Sequence, residues 1–178
     1  LITNEYGYKT HRQNIIDGWS RSQFIFVKIA LVVILSVIAT IMVILTALII
    51  GMLGDRSFSW EESNYIFYFF IQALSYNSLA LLFSVLLKRT GLALGLFLAY
   101  AYFLENLIGN LLDWKIESKP GSYLPLNSTD NLIPFPFVKN VTKQIFREPN
   151  YTMLLIFAGV YLAFYLFFSI RKFRTDDL

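Results

Sequence analysis

Side chains able to do chemistry are few in this chain. It has one histidine, His11, and no cysteine. A thiolate nucleophile, a disulfide, a Cys-ligated metal and a multi-histidine metal or haem site are therefore excluded, and no metal ligand is assigned. The pair Glu61-Glu62 has the residue types for acid and base work, but that work needs a second polar cluster to complete it. Position 66 is Ile, and the one histidine lies far off in the leader. The pair is better placed at the start of an apolar helix, where the positive end of the helix dipole favours carboxylates. No catalytic residue is assigned. The sequence also lacks the G-x-x-x-x-G-K-[ST] phosphate loop, so this chain does not hydrolyse ATP itself. One ionisable residue remains, Glu105, which sits inside an apolar run. An ionisable group in such a run is a functional candidate by default. It lies about 7 residues, or roughly 10 Å, from the outer end of that run, so snorkelling to the interface is the competing reading.

The elements that hold these residues follow from composition. The chain has 178 residues, of which 56% are hydrophobic and 15% charged, and its mean hydropathy is +0.56. A soluble domain carries about 25% charged residues and roughly 45–50% apolar ones. Four stretches reach the ~20 apolar residues that a membrane-crossing helix needs. They run from Ile29 to Leu53, Tyr65 to Leu87, Gly91 to Leu112 and Tyr151 to Ile170. The expected fold is an all-α polytopic membrane helix bundle. Residues 1–28 form a cytoplasmic segment, 29–112 three spans, 113–150 an outer loop, 151–170 the last span and 171–178 a tail.

Basic residues set the orientation. Nine lie in the leader (Lys9, Arg12, Arg21, Lys28), the Lys88-Arg89 turn and the tail (Arg171, Lys172, Arg174), against six elsewhere. Leader, turn and tail are therefore expected in the cytoplasm, and the 113–150 loop outside. The chain begins with Leu1 rather than Met, and no signal peptide is visible at the start. The four spans are thus a lower bound.

In lipid, helices associate through small and polar residues. On a helical wheel, Gly91, Gly95, Ala99, Tyr102, Glu105, Asn106, Gly109 and Asn110 of the third span share an arc of roughly 140°. That face is expected to pack on other helices or to line a polar path. In the first span Ser36, Thr40, Ala47 and Gly51 align. In the second, Gln72, Ser75, Asn77, Ser78 and Ser84 scatter around the wheel, which suits a central helix. Gly159 and Ala163 give the fourth span a small-residue pair, and this span is expected at the periphery.

All five prolines fall in the outer loop, at 120, 125, 134, 136 and 149, making it irregular but ordered. Pro136 is expected to open a short helix to about Glu148, with Val138, Val141, Ile145 and Phe146 as its apolar stripe. Asn127, Asn140 and Asn150 begin N-x-Ser/Thr triplets, best taken as chance in an Asn-rich loop. In the leader, Thr10 caps a short helix to about Asp17 that Gly18 stops. Ile15, Ile16 and Trp19 stand there as apolar anchors among His11, Arg12, Gln13, Asn14 and Asp17. Such a helix suits docking to a soluble partner or resting on anionic lipid.

The run Glu5, Thr10, Arg12, Gln13, Ile16, Gly18, Ser20-Arg21 and Lys28, leading directly into a long apolar span, resembles the type-2 ABC-transporter permeases. The resemblance covers the whole chain in span order, with motif-grade likeness in the leader alone. It departs at Asp17-Gly18-Trp19, where a common pattern has proline. It implies that Thr10, His11, Arg12, Gln13, Asn14, Ile15, Ile16, Asp17, Trp19 and Arg21 form a coupling helix and its flanks. That helix would sit in a groove of a separate nucleotide-binding ATPase subunit. It implies six spans in the full subunit, with two before Leu1, and a second permease copy or homologue. ATP and Mg would be held by the partner subunit, with no cofactor on this chain and no nucleic acid as a partner. Gly95, Tyr102, Glu105, Asn106 and Asn110 would contribute to the translocation path or the subunit seam. The function implied is export by alternating access across the cell (inner or plasma) membrane of a bacterium. The alternatives are a non-transporting membrane scaffold and an intramembrane enzyme.

Overall fold

The computed structural model describes residues 2–8, 10–53, 63–116, 120–133 and 150–175. Among the described residues the chain is helical, with no strand. Two short helices, α1 (Ile2–Gly7) and α2 (Thr10–Ile16), lead into α3 (Arg21–Leu53). Next come α4 (Asn64–Leu87) and α5 (Thr90–Ala99), the latter running through a π-helical turn at Tyr100–Leu104 into α6 (Glu105–Lys115). A 3₁₀ turn (Pro120–Tyr123) and the short α7 (Asn127–Asp130) follow, and α8 (Tyr151–Thr175) closes the described chain. Four helical runs are long and apolar enough to cross a membrane: Arg21–Leu53, Asn64–Leu87, Thr90–Lys115 and Tyr151–Thr175.

The first long helix starts eight residues before the expected Ile29, and the cause is local. The side chain of Ser20 accepts a hydrogen bond from Gln23 N at 3.2 Å, and Ser20 N donates to Gln23 Oε1 at 2.9 Å. This reciprocal capping box fixes the helix start. Just upstream, Gly18 has φ +102°, and Trp19 N donates to Asn14 O at 3.1 Å. That is a Schellman stop, and it needs a residue able to take positive φ. The leader is therefore two helices and the base of a third rather than a separate segment.

α4 packs along both α3 and α8 and is the most buried of the long helices, in the central place its scattered polar residues require. Asn77 Nδ2 donates to Ser36 Oγ of α3 at 3.0 Å, while the Ser36 hydroxyl donates back to Val32 O at 2.9 Å. Ser36 and Thr40 are buried as expected, whereas Ala47 and Gly51 on the same stripe are exposed.

Two placements are corrected. α8 is not peripheral: Leu154, Ala158, Tyr165, Ser169 and Phe173 are buried along it, while Gly159 and Ala163 face outward. The third long helix, like α3, is lightly packed instead, and a Cβ added at Gly91 or Gly95 would meet open space. Aromatic pairs from α4, Tyr76–Phe97 and Phe83–Tyr100, hold it in place.

One end of the bundle gathers the leader, the Lys88-Arg89 turn and the last turns of α8. Phe24 stacks on Phe173 with ring centroids 5.0 Å apart. Ile25, Val32, Leu81 and Val85 complete that cluster. Glu5 pairs with Lys28, Thr90 Oγ1 donates to Asn4 Oδ1 at 3.1 Å, and Arg21 Nη1 donates to Arg174 O at 3.0 Å.

Interhelical hydrogen bonds between apolar helices contribute about 0.6 kcal/mol on average and up to about 1.7. Asn77→Leu orphans nothing, because Ser36 keeps its bond to Val32. It is expected to cost no more than about 2 kcal/mol in thermal denaturation of the purified chain.

Candidate functional site

The one charged residue inside the third apolar run organises the opposite end of the bundle. Glu105 opens the 11-residue α6, and Lys115, the last residue of that helix, is ten positions further on. At 1.5 Å per residue its carboxylate lies about 15 Å from the helix end. It is 1% exposed. Oε1 accepts two backbone hydrogen bonds, from Leu126 N at 2.5 Å and from Asn127 N at 2.7 Å. These N–H groups open α7, where a helix has no partners of its own for them. Oε2 is buried without a hydrogen bond of ordinary geometry, and the Tyr100 hydroxyl lies nearby.

The 120–133 segment is thus drawn down between the long helices. Leu126 and Leu132 are fully buried, as are Ser128 and Thr129. Leu126 packs with Leu79, Leu82 and Tyr165, and the Tyr123 ring lies 5.2 Å from that of Phe157. A second carboxylate ties the segment in the reverse sense. Asp130, on α7, accepts from Gln72 Nε2 at 2.8 Å and from the Tyr76 hydroxyl at 2.8 Å, both on α4. Burial pushes the Asp130 carboxyl above its ordinary range, and the Gln72 and Tyr76 donors pull the other way.

Entry of the segment requires glycine. A Cβ on Gly121 would sit 2.5 Å from Gly109 O and 2.8 Å from both Gly109 Cα and Asp113 Oδ1. Two backbones touch there, and a larger residue would push them apart. Asp113 Oδ1 accepts from Gly121 N at 2.7 Å, and Asn127 Nδ2 donates to Gly121 O at 3.0 Å. Beside this contact a polar cleft of about 190 Å³ opens, lined by Asn106, Asn110, Asp113, Ser122, Asn127 and Asn131. Among the described residues no group of three or more His, Cys, Asp or Glu side chains is placed to hold a metal ion.

The shared third-span face is corrected. The π turn adds a residue to the helical register, turning everything after it by about a quarter turn relative to a regular helix. Glu105 and Gly109 therefore face the docked segment, while Gly95, Tyr102, Asn106 and Asn110 are exposed. Asn106 Nδ2 donates to Tyr102 O at 3.1 Å. Snorkelling by Glu105 is excluded as well, because its carboxylate is enclosed and bound. Asn127 has its amide turned into the segment, and Asn150 Oδ1 accepts from Thr152 N at 3.0 Å at the start of α8. The expected 136–148 helix, Asn140 and the Glu61-Glu62 pair lie outside the described residues.

At the other end, the leader presents the second candidate surface. Thr10, His11, Arg12, Gln13, Asn14, Ile15 and Ile16 form α2, with Asp17 in the turn that follows. Tyr8 is 81% exposed, Ile16 78% and Trp19 46%. Gln13 Nε2 reaches Asp17 Oδ1 at 3.3 Å. Arg21 is held by the end of α8 and acts within the chain.

Sequence reasoning did not pick out Asp130, Gly121 or Tyr76, and used Gln72 for packing alone. Gln72 and Tyr76 are four residues apart on one helical face, a spacing that asks for a shared polar partner. Asp130 is an acid flanked by apolar Leu126 and Leu132.

The chain belongs to the family described as Protein of unknown function (DUF2705), which matches residues 1–178. No curated protein matches it, and no solved structure does.

Glu105→Ala leaves two buried N–H groups without an acceptor, at about 1–3 kcal/mol each. Glu105→Gln keeps an acceptor oxygen, so thermal denaturation is expected to rank Gln near wild type and Ala well below, by more than Asn77→Leu costs. The raised carboxyl of Asp130 works with a definite sign. Its protonated form is favoured in the folded state, so its contribution is full below the ordinary carboxylate range and is lost as pH rises through the raised value. Amide-exchange protection of residues 126–132 is expected to strengthen on acidification from pH 7, and Asp130→Asn to flatten that dependence.

Proposed function

We propose that this member of the family is the membrane permease subunit of an ATP-driven ABC transporter, an exporter that works by alternating access. The observation that carries the proposal is the leader. Its second helix ends in a Schellman turn at Gly18 and is followed at once by the Ser20–Gln23 capping box. Exposed Ile16 and Trp19 stand on that rigid corner. Apolar side chains exposed beside polar ones, away from the apolar helices, are suited to a protein partner.

The corner is also mechanically connected. Movement of α2 passes through four residues into the 33-residue α3. It passes through Asn4 to Thr90 on α5 and through Arg21 to α8. A nucleotide-binding subunit seated on Ile16 and Trp19 would thus pull on three of the four long helices together. That subunit would bind ATP and Mg, and its closure would drive the change of access. The resemblance of the leader to type-2 permeases supports the same partner.

The chain would lie in the cell membrane as a multi-pass protein with leader and tail in the cytoplasm, following its basic residues. Exposed Gly91 and Gly95, with Gly159 and Ala163 of α8, leave small-residue faces for a second permease copy. Tyr102, Asn106 and Asn110 would lie at or near such a seam, where exposed polar groups find partners.

The test is co-expression with a nucleotide-binding ABC ATPase subunit from the same genome. Ile16→Asp with Trp19→Ala alters exposed positions and should leave the fold intact. Loss of a tryptophan hot spot is worth about 2 kcal/mol or more, so co-purification is expected to weaken at least roughly 30-fold, with ATP-linked transport falling alongside. Undiminished co-purification and transport in the double variant would contradict the proposal.

A further inference from the structure

The polar cleft at the end opposite the leader has two walls. Asn106, Asn110 and Asp113 recur at spacings of four and three along α6, so they share one face. Ser122, Asn127 and Asn131 of the docked segment stand across from them, and Gly109 and Gly121 form the floor. Polar walls that face each other in a folded chain ordinarily bond to each other. Here only the floor is closed, by Gly121 N donating to Asp113 Oδ1 at 2.7 Å. Among the described residues no hydrogen bond joins Asn106 or Asn110 to Ser122, Asn127 or Asn131. The π turn that sets this face of α6 lies directly before Glu105. A single π turn within an α-helix is a frequent mark of a functional site.

The uncommitted groups of the cleft are mainly acceptors. Asn106, Asn127 and Asn131 each turn an amide N–H onto a backbone carbonyl, of Tyr102 at 3.1 Å, Gly121 at 3.0 Å and Ser122 at 3.3 Å respectively. Among the described residues their Oδ1 atoms receive no hydrogen bond, and Asp113 keeps its Oδ2. Asp113 is also the one charged side chain among the described residues of the lining. The occupant must therefore donate hydrogen bonds and carry positive charge. An anion finds no Lys, Arg or His in that lining, and an apolar group finds no aliphatic or aromatic wall. A calcium ion takes about 6–8 oxygens and binds more tightly as their charge rises, so a single carboxylate serves it poorly. A guanidinium wants both oxygens of a carboxylate, and Asp113 has already given one to Gly121. An ammonium needs one oxygen for each of its three N–H groups. At about 190 Å³ the cleft is smaller than the roughly 300–1,000 Å³ that houses a drug-sized ligand.

We infer that this cleft is a binding site for a small primary ammonium ion, its N–H groups shared between Asp113 Oδ2 and carboxamide oxygens of the two walls. The inference rests on docking of the 120–133 segment and not on coupling to an ATPase. A chain that fails to bind an ATPase can still bind the cation, so the two failures are distinguishable.

The absence of native cysteine allows a direct test on the full chain in detergent. Ser122→Cys puts a reporter thiol on the cleft wall, and its labelling by neutral methyl methanethiosulfonate is timed. Aminobutanol is expected to protect the thiol, whereas butanediol, glucose and calcium chloride at the same concentration are not. Asp113→Asn keeps the acceptor for Gly121 N and removes the charge. It is expected to weaken protection by aminobutanol roughly fivefold, the upper range for an ion pair open to water. Labelling without competitor should keep its rate in that variant and so report an intact cleft. Saturation-transfer NMR of aminobutanol against butanediol on the unsubstituted chain needs neither variant, and aminobutanol alone is expected to give a signal. The inference is overturned if butanediol, glucose or calcium protects as well as aminobutanol does. It is overturned equally if Asp113→Asn leaves protection unchanged, or if aminobutanol gives no more NMR signal than butanediol.

Discussion

Burying a carboxylate among apolar helices is expensive unless its oxygens accept hydrogen bonds. The first turn of a helix has the complementary difficulty, since its N–H groups have no acceptor within the helix. Glu105 and α7 meet both needs with one contact, and the arrangement of that end of the bundle follows. The loop must descend about 15 Å along α6 to reach the carboxylate. Backbone at that depth has to be buried in protein, and Leu126 and Leu132 are. The descent needs two backbones in contact, which is why Gly109 meets Gly121. Asp130 then returns the favour to α4 through Gln72 and Tyr76.

The other end is held by different forces. Stacked Phe24 and Phe173, the Glu5–Lys28 pair, the Thr90–Asn4 hydrogen bond and the Arg21 contact to α8 join the leader to three long helices. The closed end with its docked loop and the leader end with exposed Ile16 and Trp19 share α4, α6's continuation from α5, and α8. Motion imposed on the leader would therefore reach the docked segment through packed helices rather than through loops. That is the physical content of the transporter proposal, and it gives the polar cleft beside Gly121 a place in it.

Much of this architecture was legible in the sequence, and the limits are physical. Apolar run length located all four long helices, and the scatter of Gln72, Asn77 and Ser78 put α4 at the centre. Thr10 and Gly18 bounded α2 within a residue. The helix that the Ser20–Gln23 capping box opens starts eight residues before the uninterrupted apolar run, so run length alone starts it too late. The third-span face was misread because a wheel assumes a constant register, and the π turn at Tyr100–Leu104 breaks it without any residue-type signature. Glu105 was singled out correctly as unusual, yet its partners are backbone N–H groups, which every residue carries and no pattern reveals. Asp130 and Gly121 lay in a proline-rich loop whose descent depends on that same hidden contact. The transport proposal rests on the leader's resemblance and surface, and the family is one of unknown function.

The docking of the 120–133 segment on Glu105 is the central claim, and the absence of native cysteine makes it directly measurable. Ser128 is fully buried and nearly the size of cysteine. Ser128→Cys in the otherwise native chain is predicted to resist a water-soluble maleimide, and the same cysteine combined with Glu105→Ala to react at the rate of an exposed thiol. Rapid labelling of Ser128→Cys with Glu105 intact, or equal protection with and without Glu105, would contradict the account.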